Sequence, residues 1–262
     1  MLLQAENIVK TFPKKNSGLF KKESLIAVNH VSLEIKADTT IGLVGESGSG
    51  KSTLGEVLGD LQKPSSGVIY YKGRDIRQLK GADYQAFRRN VQFIFQNPQG
   101  SMNPYYKIKQ VLLEPLKALS EHYDEAEALV KVEQMMEDVG LDASYLDRYP
   151  SELSGGQSQR VAIGRALLLN PEIIICDECV SALDVSVQAQ ILNLLKRMQK
   201  LYHTSYLFIS HDIATVKYMS DEVIVMFRGD VVEHGTTAEV LDDPKNDYTK
   251  KLLKYVRLKN GE

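Results

Sequence analysis

Apolar positions along the chain change period several times, and each change marks an element. In residues 1–40 they come in short runs: Leu2-Leu3, Ile8-Val9, Ile26-Ala27-Val28, Val31, Leu33 and Ile35. Short runs of this kind read as antiparallel strands. Residues 13–23 between them are rich in Lys, Asn, Ser and Gly, the composition of a loop or hairpin tip with its four lysines in solvent. Ile41, Leu43 and Val44 form a compact apolar run, a buried strand, and Thr53 to Leu58 reads as the start of a helix. Pro64-Ser65-Ser66-Gly67 is a turn and Val68-Ile69-Tyr70-Tyr71 continues as strand. Val91 to Phe95 is a further strand ending at Gln96, followed by a loop over 97–106 with Pro98, Gly100 and Pro104.

The period then becomes helical. Leu129, Val132, Met136 and Val139 recur at three- and four-residue intervals. Asp124 and Glu127 have capping-box spacing at the front of this helix, and Gly140 is placed to end it. The methionines here read as core filler. A second helix is predicted over 156–169, stopped by Asn170-Pro171. Ile173 to Cys176 is a short buried strand. Val187, Ile191, Leu194, Leu195 and Met198 make another amphipathic helix. Strand returns at 206–209, at 223–227 and at Val231-Val232. Strands alternating with helices imply an α/β fold with a mostly parallel sheet covered on both faces. Helices over about 97–158 form an insert in that core, and one composite domain over 1–262 fits this order better than two independent ones.

Length and composition sharpen the class only slightly. The chain has 262 residues, 43% apolar and 25% charged, ordinary for a soluble globular protein. The formal charge of −2 is no electrostatic footprint for nucleic acid. No apolar run approaches the 18 or so residues that span a bilayer, and Met1 to Lys10 lacks the apolar stretch of a signal peptide. The expected compartment is the cytoplasm, and a membrane role needs a separate membrane part. Cys176 and Cys179 form a C-x-x-C, but two thiols cannot complete a structural zinc site. They read as small buried residues at a strand end, with no disulfide expected.

The chemistry begins at Gly45-Glu46-Ser47-Gly48-Ser49-Gly50-Lys51-Ser52, a complete G-x-x-x-x-G-K-S phosphate loop between strand and helix. Its glycines let the backbone curl so that N–H groups face phosphate oxygens. Lys51 supplies charge to the β- and γ-phosphates, the Ser52 hydroxyl suits Mg²⁺, and the helix opening at Ser52-Thr53 turns its positive end to the phosphates. The strand Ile173-Ile174-Ile175-Cys176 delivers Asp177 and Glu178 at its C-terminal end, where ligands sit in open α/β sheets. Asp177 is placed to hold Mg²⁺, directly or through water, and Glu178 to orient and polarise an attacking water.

Leu153-Ser154-Gly155-Gly156-Gln157 resembles the LSGGQ signature of the ATP-binding cassette (ABC) ATPases. It opens a helix, so Ser154 and the amides of Gly155 and Gly156 can receive a phosphate. The resemblance implies that this phosphate belongs to the ATP of an opposite subunit, so that each site is completed by dimerisation. Gln96 is similar to the family's Q-loop glutamine, a catalytic and metal-contacting residue. Ser181-Ala182-Leu183-Asp184 resembles the D-loop, with Asp184 at the nucleotide. His211, in Ile209-Ser210-His211-Asp212, resembles the switch histidine, and Phe12 the aromatic that stacks on adenine. The implied fold is the P-loop NTPase fold of ABC ATPases: a RecA-like parallel-sheet core, an N-terminal antiparallel β-subdomain, an inserted helical subdomain, and a short C-terminal extension over 241–262.

The likeness covers nearly the whole chain and sharpens toward ATPase subunits of dipeptide, oligopeptide and nickel importers. It rests on Gly45 to Gly50, Asn97-Pro98, Ser101-Met102-Asn103-Pro104, Arg148-Tyr149-Pro150-Ser151-Glu152, the run from Val180 to Gln190, and Asp247-Tyr248-Thr249 with Leu252-Leu253. Ser158 departs from a longer polar or basic residue common in the family, and Cys179 from a common proline. The tail lacks the cysteine cluster that one ATPase type carries for an iron–sulfur centre. The resemblance therefore implies the other type, with a homologous but different ATPase as partner. It also implies ATP and Mg²⁺, two integral-membrane permease subunits, an extracytoplasmic solute-binding protein reached through them, and a place on the cytoplasmic face of the membrane. Oligopeptide or dipeptide uptake is the first reading. Nickel or a metal chelate, and export by the same motor, are the alternatives. A DNA- or ribosome-acting ABC protein would call for a long coiled coil, zinc cysteines or two cassettes in one chain, and a P-loop kinase or GTPase would not need LSGGQ.

Overall fold

The structure is a computed structural model and describes residues 1–13 and 24–260. The lysine-rich segment expected as a loop lies, apart from Pro13 at its edge, outside the described residues. In order, the chain forms β1 (Leu3–Pro13), β2 (Ser24–Ile35), β3 (Thr40–Val44), α1 (Lys51–Leu58), β4 (Ser66–Tyr71), β5 (Arg74–Asp75), α2 (Gly81–Asn90) and β6 (Val91–Ile94). There follow α3 (Ile108–Leu119), α4 (Glu125–Asp138), α5 (Gly155–Leu167), β7 (Ile173–Asp177), α6 (Val185–Tyr202) and β8 (Ser205–Ile209). The chain closes with α7 (Ile213–Met219), β9 (Glu222–Phe227), β10 (Asp230–Thr236), α8 (Thr237–Leu241) and α9 (Asp247–Asn260). These elements divide into two compact units, Met1–Leu79 with Leu207–Glu262, and Lys80–Tyr206.

In the first unit β2, β1, β4 and β5 make an antiparallel sheet in that order. The register pairs Leu3 with both Ile35 and Tyr71, and all three are buried. Pro13, expected in a loop, still pairs with Ser24 as the last rung of the β1–β2 ribbon. The same unit holds the parallel pair β3–β9, Ile41 opposite Glu222 through Val44 opposite Val225, with β10 antiparallel on β9. β3 is buried at every position, as a strand covered on both faces must be.

In the second unit β6 and β7 run parallel, with Val91 opposite Ile173 and Ile94 opposite Cys176. α3, α4 and α5 bury Val111, Leu112, Leu116, Val132, Met135, Met136, Val161 and Ile163, so the methionines do fill core. Gly140 follows α4 with φ +73 and its N–H on the Glu137 carbonyl, a helix stop. The expected capping box at Asp124 is half made: the Asp124 carboxylate accepts from the Glu127 N–H at 2.9 Å. The Asp124 cap is therefore one-sided, with the Asp carboxylate serving the N3 amide. α2 carries no sequence expectation, and α3 falls within the helical insert expected over about 97–158 without bounds of its own. α3 contains Pro115 in its interior, which breaks the reading of an otherwise periodic run. No helix among the described residues is long and apolar enough to cross a membrane.

Candidate nucleotide site

The phosphate loop leaves the end of β3 and runs into α1. Gly50 caps that helix with φ 104 and without a side-chain hydrogen bond, so the first-turn amides keep their donors for an anion. A Cβ on Gly50 would stand 2.0 Å from the Ala27 carbonyl oxygen, so both backbone angle and space demand glycine there. Lys51 is buried, and its ammonium donates to the carbonyls of Gly45 and Glu46 at 2.8 Å each. Ser52 is exposed and Thr53 half-buried on the first turn. Glu46, Ser47 and Gly48 form the exposed crest of the loop, and Ser49 is buried beneath it.

His211 lies in this same unit. β8 is the neighbour of β3, and the Ser210 N–H donates to the Leu43 carbonyl at 3.2 Å. The exposed imidazole thus leaves its strand at the level where the phosphate loop leaves β3. The turn is held by Asp212, which caps α7 through the Ala214 N–H at 2.8 Å, and by the Ser210 hydroxyl, which accepts from the Asp212 N–H. Phe12 is half-buried near the end of β1, opposite Leu25, with the Lys10 ammonium 5.2 Å from its ring centroid.

The second unit assembles the acids. Because Ile94 and Cys176 are paired, Gln96 and Glu178 each stand two residues beyond the same rung, and the two side chains meet. The Gln96 amide donates to the Glu178 carboxylate at 3.1 Å and to the Ser181 hydroxyl at 3.3 Å. Glu178 sits at φ +46, a conformation a non-glycine residue holds only where its surroundings fix it. Here the Glu178 carbonyl accepts from both the N–H and the hydroxyl of Ser181. Asp177 ends β7, half-buried. The two cysteines flanking these acids are free, buried thiols. The Cys176 thiol is pushed well above its ordinary range, first by its hydrogen bond with Cys179 and then by burial, the behaviour of inert core groups.

The signature motif is the N-terminus of α5. The Ser154 hydroxyl accepts from the Gln157 N–H and the Gln157 side chain accepts from the Ser154 N–H, a full capping box. Gln157 also donates to the Tyr145 hydroxyl at 2.9 Å. Asp184 caps α6 through the Val187 N–H, and the two helix starts touch. A Cβ on Gly156 would stand 2.7 Å from Val187 Cγ1, and one on Gly155 3.3 Å from Leu183 Cδ2. Ser154, Gly155 and Asp184 are exposed at this shared edge.

Sequence reasoning missed a set of supports. Gln99 donates to the Leu153 carbonyl at 3.1 Å and the buried Ser158 hydroxyl at 3.2 Å. Ser158, a departure from the family pattern, thus binds the loop that leads into α3. Arg165 grips Ser101 through its carbonyl at 2.7 Å and its hydroxyl at 2.9 Å. No local signal marks these pairs, which join residues far apart in sequence.

A phosphate loop on a buried strand, an acidic pair on a parallel strand and a glycine-opened signature helix define a nucleotide-binding ATPase cassette. The family model for ABC transporters matches residues 28–181, more than half of the chain, and the chain belongs to that family. It is 45% identical over 259 residues to the oligopeptide transport ATP-binding protein OppF of Haemophilus influenzae, covering 98% of this chain and 78% of that one. It is 44% identical over 256 residues to the dipeptide transport ATP-binding protein DppF of Escherichia coli, covering 96% and 75%. Among solved structures, the ATP-binding cassette MJ0796, a dimer in a post-hydrolysis state bound to ADP and Pi, superposes with TM-score 0.79 at 28% identity, covering 90% of this chain and 99% of that one. The cbiO1 protein of Clostridium perfringens, part of the ABC transporter complex cbiONQ, gives TM-score 0.77 at 26% identity, covering 98% and 94%.

Proposed function

We propose that this chain is the ATP-hydrolysing subunit of an importer that carries oligopeptides or dipeptides through a separate membrane permease. The observation that carries the reading is the likeness, over nearly the whole of this chain, to subunits of oligopeptide and dipeptide transport, in a sequence that carries the phosphate loop, the Asp177-Glu178 pair and the LSGGQ run. ATP is held by the phosphate-loop residues Gly45 to Thr53, with Lys51 against the β- and γ-phosphates and Phe12 against the base. Glu178 orients a water and polarises it for attack on the γ-phosphorus, and the bond from that phosphorus to the ADP oxygen breaks. Gln96 steadies the Glu178 carboxylate, and His211 meets the γ-phosphate.

The hydroxyl of Ser52, the amide oxygen of Gln96 and the carboxylate of Asp177 are hard oxygen donors of the kind Mg²⁺ takes. Among the described residues no group of three or more His, Cys, Asp or Glu gathers into a metal site. When bound, the ion neutralises charge on the phosphates.

The chain is read as one cassette, with the helical part over 97–158 and the C-terminal extension over 241–262. Ser154, Gly155, Gly156, Gln157 and Asp184 serve the nucleotide of an opposite subunit, a homologous ATPase distinct from this chain. The complex adds two permease subunits at the cytoplasmic face of the membrane and a solute-binding protein beyond it. Co-expression with the permease and binding protein encoded beside it, followed by labelled-peptide uptake in vesicles, tests the reading. ATP-dependent peptide uptake supports it. Uptake of nickel or a metal chelate without peptide, or outward transport, replaces it.

A further inference from the structure

The segment before and into α9 is tied to the first unit by a chain of contacts that ends at the phosphate loop. Glu233 of β10 accepts from the Lys245 N–H at 2.6 Å and the Asn246 N–H at 3.2 Å. Asn246 donates to the Val232 carbonyl at 3.2 Å and accepts from the Tyr248 N–H at 2.8 Å. Thr249 is buried. The start of α9 is thereby fixed on β10, and the Tyr248 ring lies 4.3 Å from the Phe227 ring at 38°, a tilted packing that holds both.

Phe227 ends β9, and both its flanks touch the phosphate loop. A Cβ on Gly45 would stand 2.2 Å from the Met226 carbonyl oxygen, and the Gly229 N–H donates to the Ser49 carbonyl at 2.9 Å. Beyond this packing, the Tyr248 hydroxyl accepts from the Glu46 N–H at 3.2 Å. Burial raises the Tyr248 phenol above its ordinary range, which keeps it neutral.

Glu46 is therefore gripped on both sides of its backbone. Its N–H meets Tyr248, while its carbonyl accepts from the Lys51 ammonium at 2.8 Å and the Ser49 N–H at 3.1 Å. A nucleotide phosphate competes with those carbonyls for Lys51. We propose that Tyr248 is a positioning residue for nucleotide binding: it presets the phosphate loop through the Glu46 amide, so that the C-terminal extension sets ATP affinity without touching ATP. The proposal rests on the ATP-binding reading above.

The test is Tyr248→Phe in the full chain, which keeps the ring against Phe227 and removes only the acceptor oxygen. Affinity for a non-hydrolysable Mg-ATP analogue is expected to fall by about twofold to tenfold, the scale of one ordinary hydrogen bond. In the assembled transporter KM should rise by a similar factor while kcat at saturation stays within about twofold. Without nucleotide, hydrogen exchange at the Glu46 amide should speed up while the β9 and α9 amides keep their protection.

Unchanged affinity with unchanged exchange at Glu46 overturns the proposal. So does a uniform loss of protection with equal falls in kcat and kcat/KM, which marks a merely structural residue. Lys51→Ala separates the two levels. If it too leaves nucleotide affinity and turnover intact, the ATP reading fails. If it abolishes turnover while Tyr248→Phe changes nothing, only this proposal fails.

Discussion

Gln96 donates from Nε2 to the Glu178 carboxylate across 3.1 Å, two residues beyond a parallel rung that pairs Ile94 with Cys176. The sheet register itself sets the loop glutamine against the acid assigned to the attacking water. The Glu178 backbone stands at φ +46 with its carbonyl accepting from the Ser181 N–H and hydroxyl, so both its side chain and its main chain are held.

Glu178→Gln is expected to leave nucleotide affinity largely intact and to slow hydrolysis by about 10²-fold or more, the usual scale for losing an acid–base group. Equilibrium nucleotide binding measured beside phosphate release checks it. A loss of binding without a selective loss of chemistry contradicts the role.

The contact between signature helix and D-loop helix makes a packing prediction. In Gly156→Ala the new methyl would stand 2.7 Å from Val187 Cγ1, and overpacking of this kind costs about 1–3 kcal/mol. Adding Val187→Ala should restore much of that loss. Denaturant unfolding of the single and double variants measures it. Unchanged stability in Gly156→Ala, or no recovery in the double variant, is inconsistent with the close approach.

Glu222 of β9 joins His234 of β10 to Lys36, the residue that follows β2. Its carboxylate accepts from Lys36 at 2.8 Å and faces His234 Nε2 at 3.2 Å, and it is held below its ordinary value of 4.5, first by Lys36 and then by His234. A depressed carboxylate favours the folded state above its unfolded value, and the gain is lost as pH falls through the folded value. Stability should therefore drop below about pH 4.5, by less than about 1 kcal/mol from this group given its partial exposure. Glu222→Gln should flatten that acid limb in urea unfolding series taken across pH. An identical pH dependence in the variant would remove Glu222 from the explanation.

The loop from Gln96 to Pro104 is expected to dock the permease. It is braced by Arg165 on Ser101 and Gln99 on Leu153, so a contact at Gln96 can move the helices behind it as a body. Crosslinking from Ser101 or Asn103 to a cytoplasmic loop of the permease is the check. Labelling confined to other surfaces contradicts it.

The phosphate loop, the Asp177-Glu178 pair and the Ser154 helix start were legible in the sequence because each is a local device. Their function depends on residues a few positions apart, and spacing records that. β3, β7 and α6 were legible for the same reason, through continuous or periodic burial. The helix over Ile108–Leu119 was not, since Pro115 within it reads as a breaker. The half-made cap at Asp124 shows that spacing names a candidate pair without fixing both bonds. Least legible were the long-range contacts. Gly156 against Val187, Gln99 on Ser158 and Tyr248 on the Glu46 amide depend on how elements pack, and no periodicity encodes them. Tyr248 was visible only as part of a family-like tail.

Peptide uptake and phosphate release, recorded together in vesicles carrying the assembled transporter, give the most direct test. With ATP on the side that bears this subunit, labelled peptide should accumulate in step with phosphate release, and Lys51→Ala in this chain should depress both together. Uptake at the wild-type rate in Lys51→Ala, or normal phosphate release with no movement of peptide, would contradict an ATP-driven peptide importer.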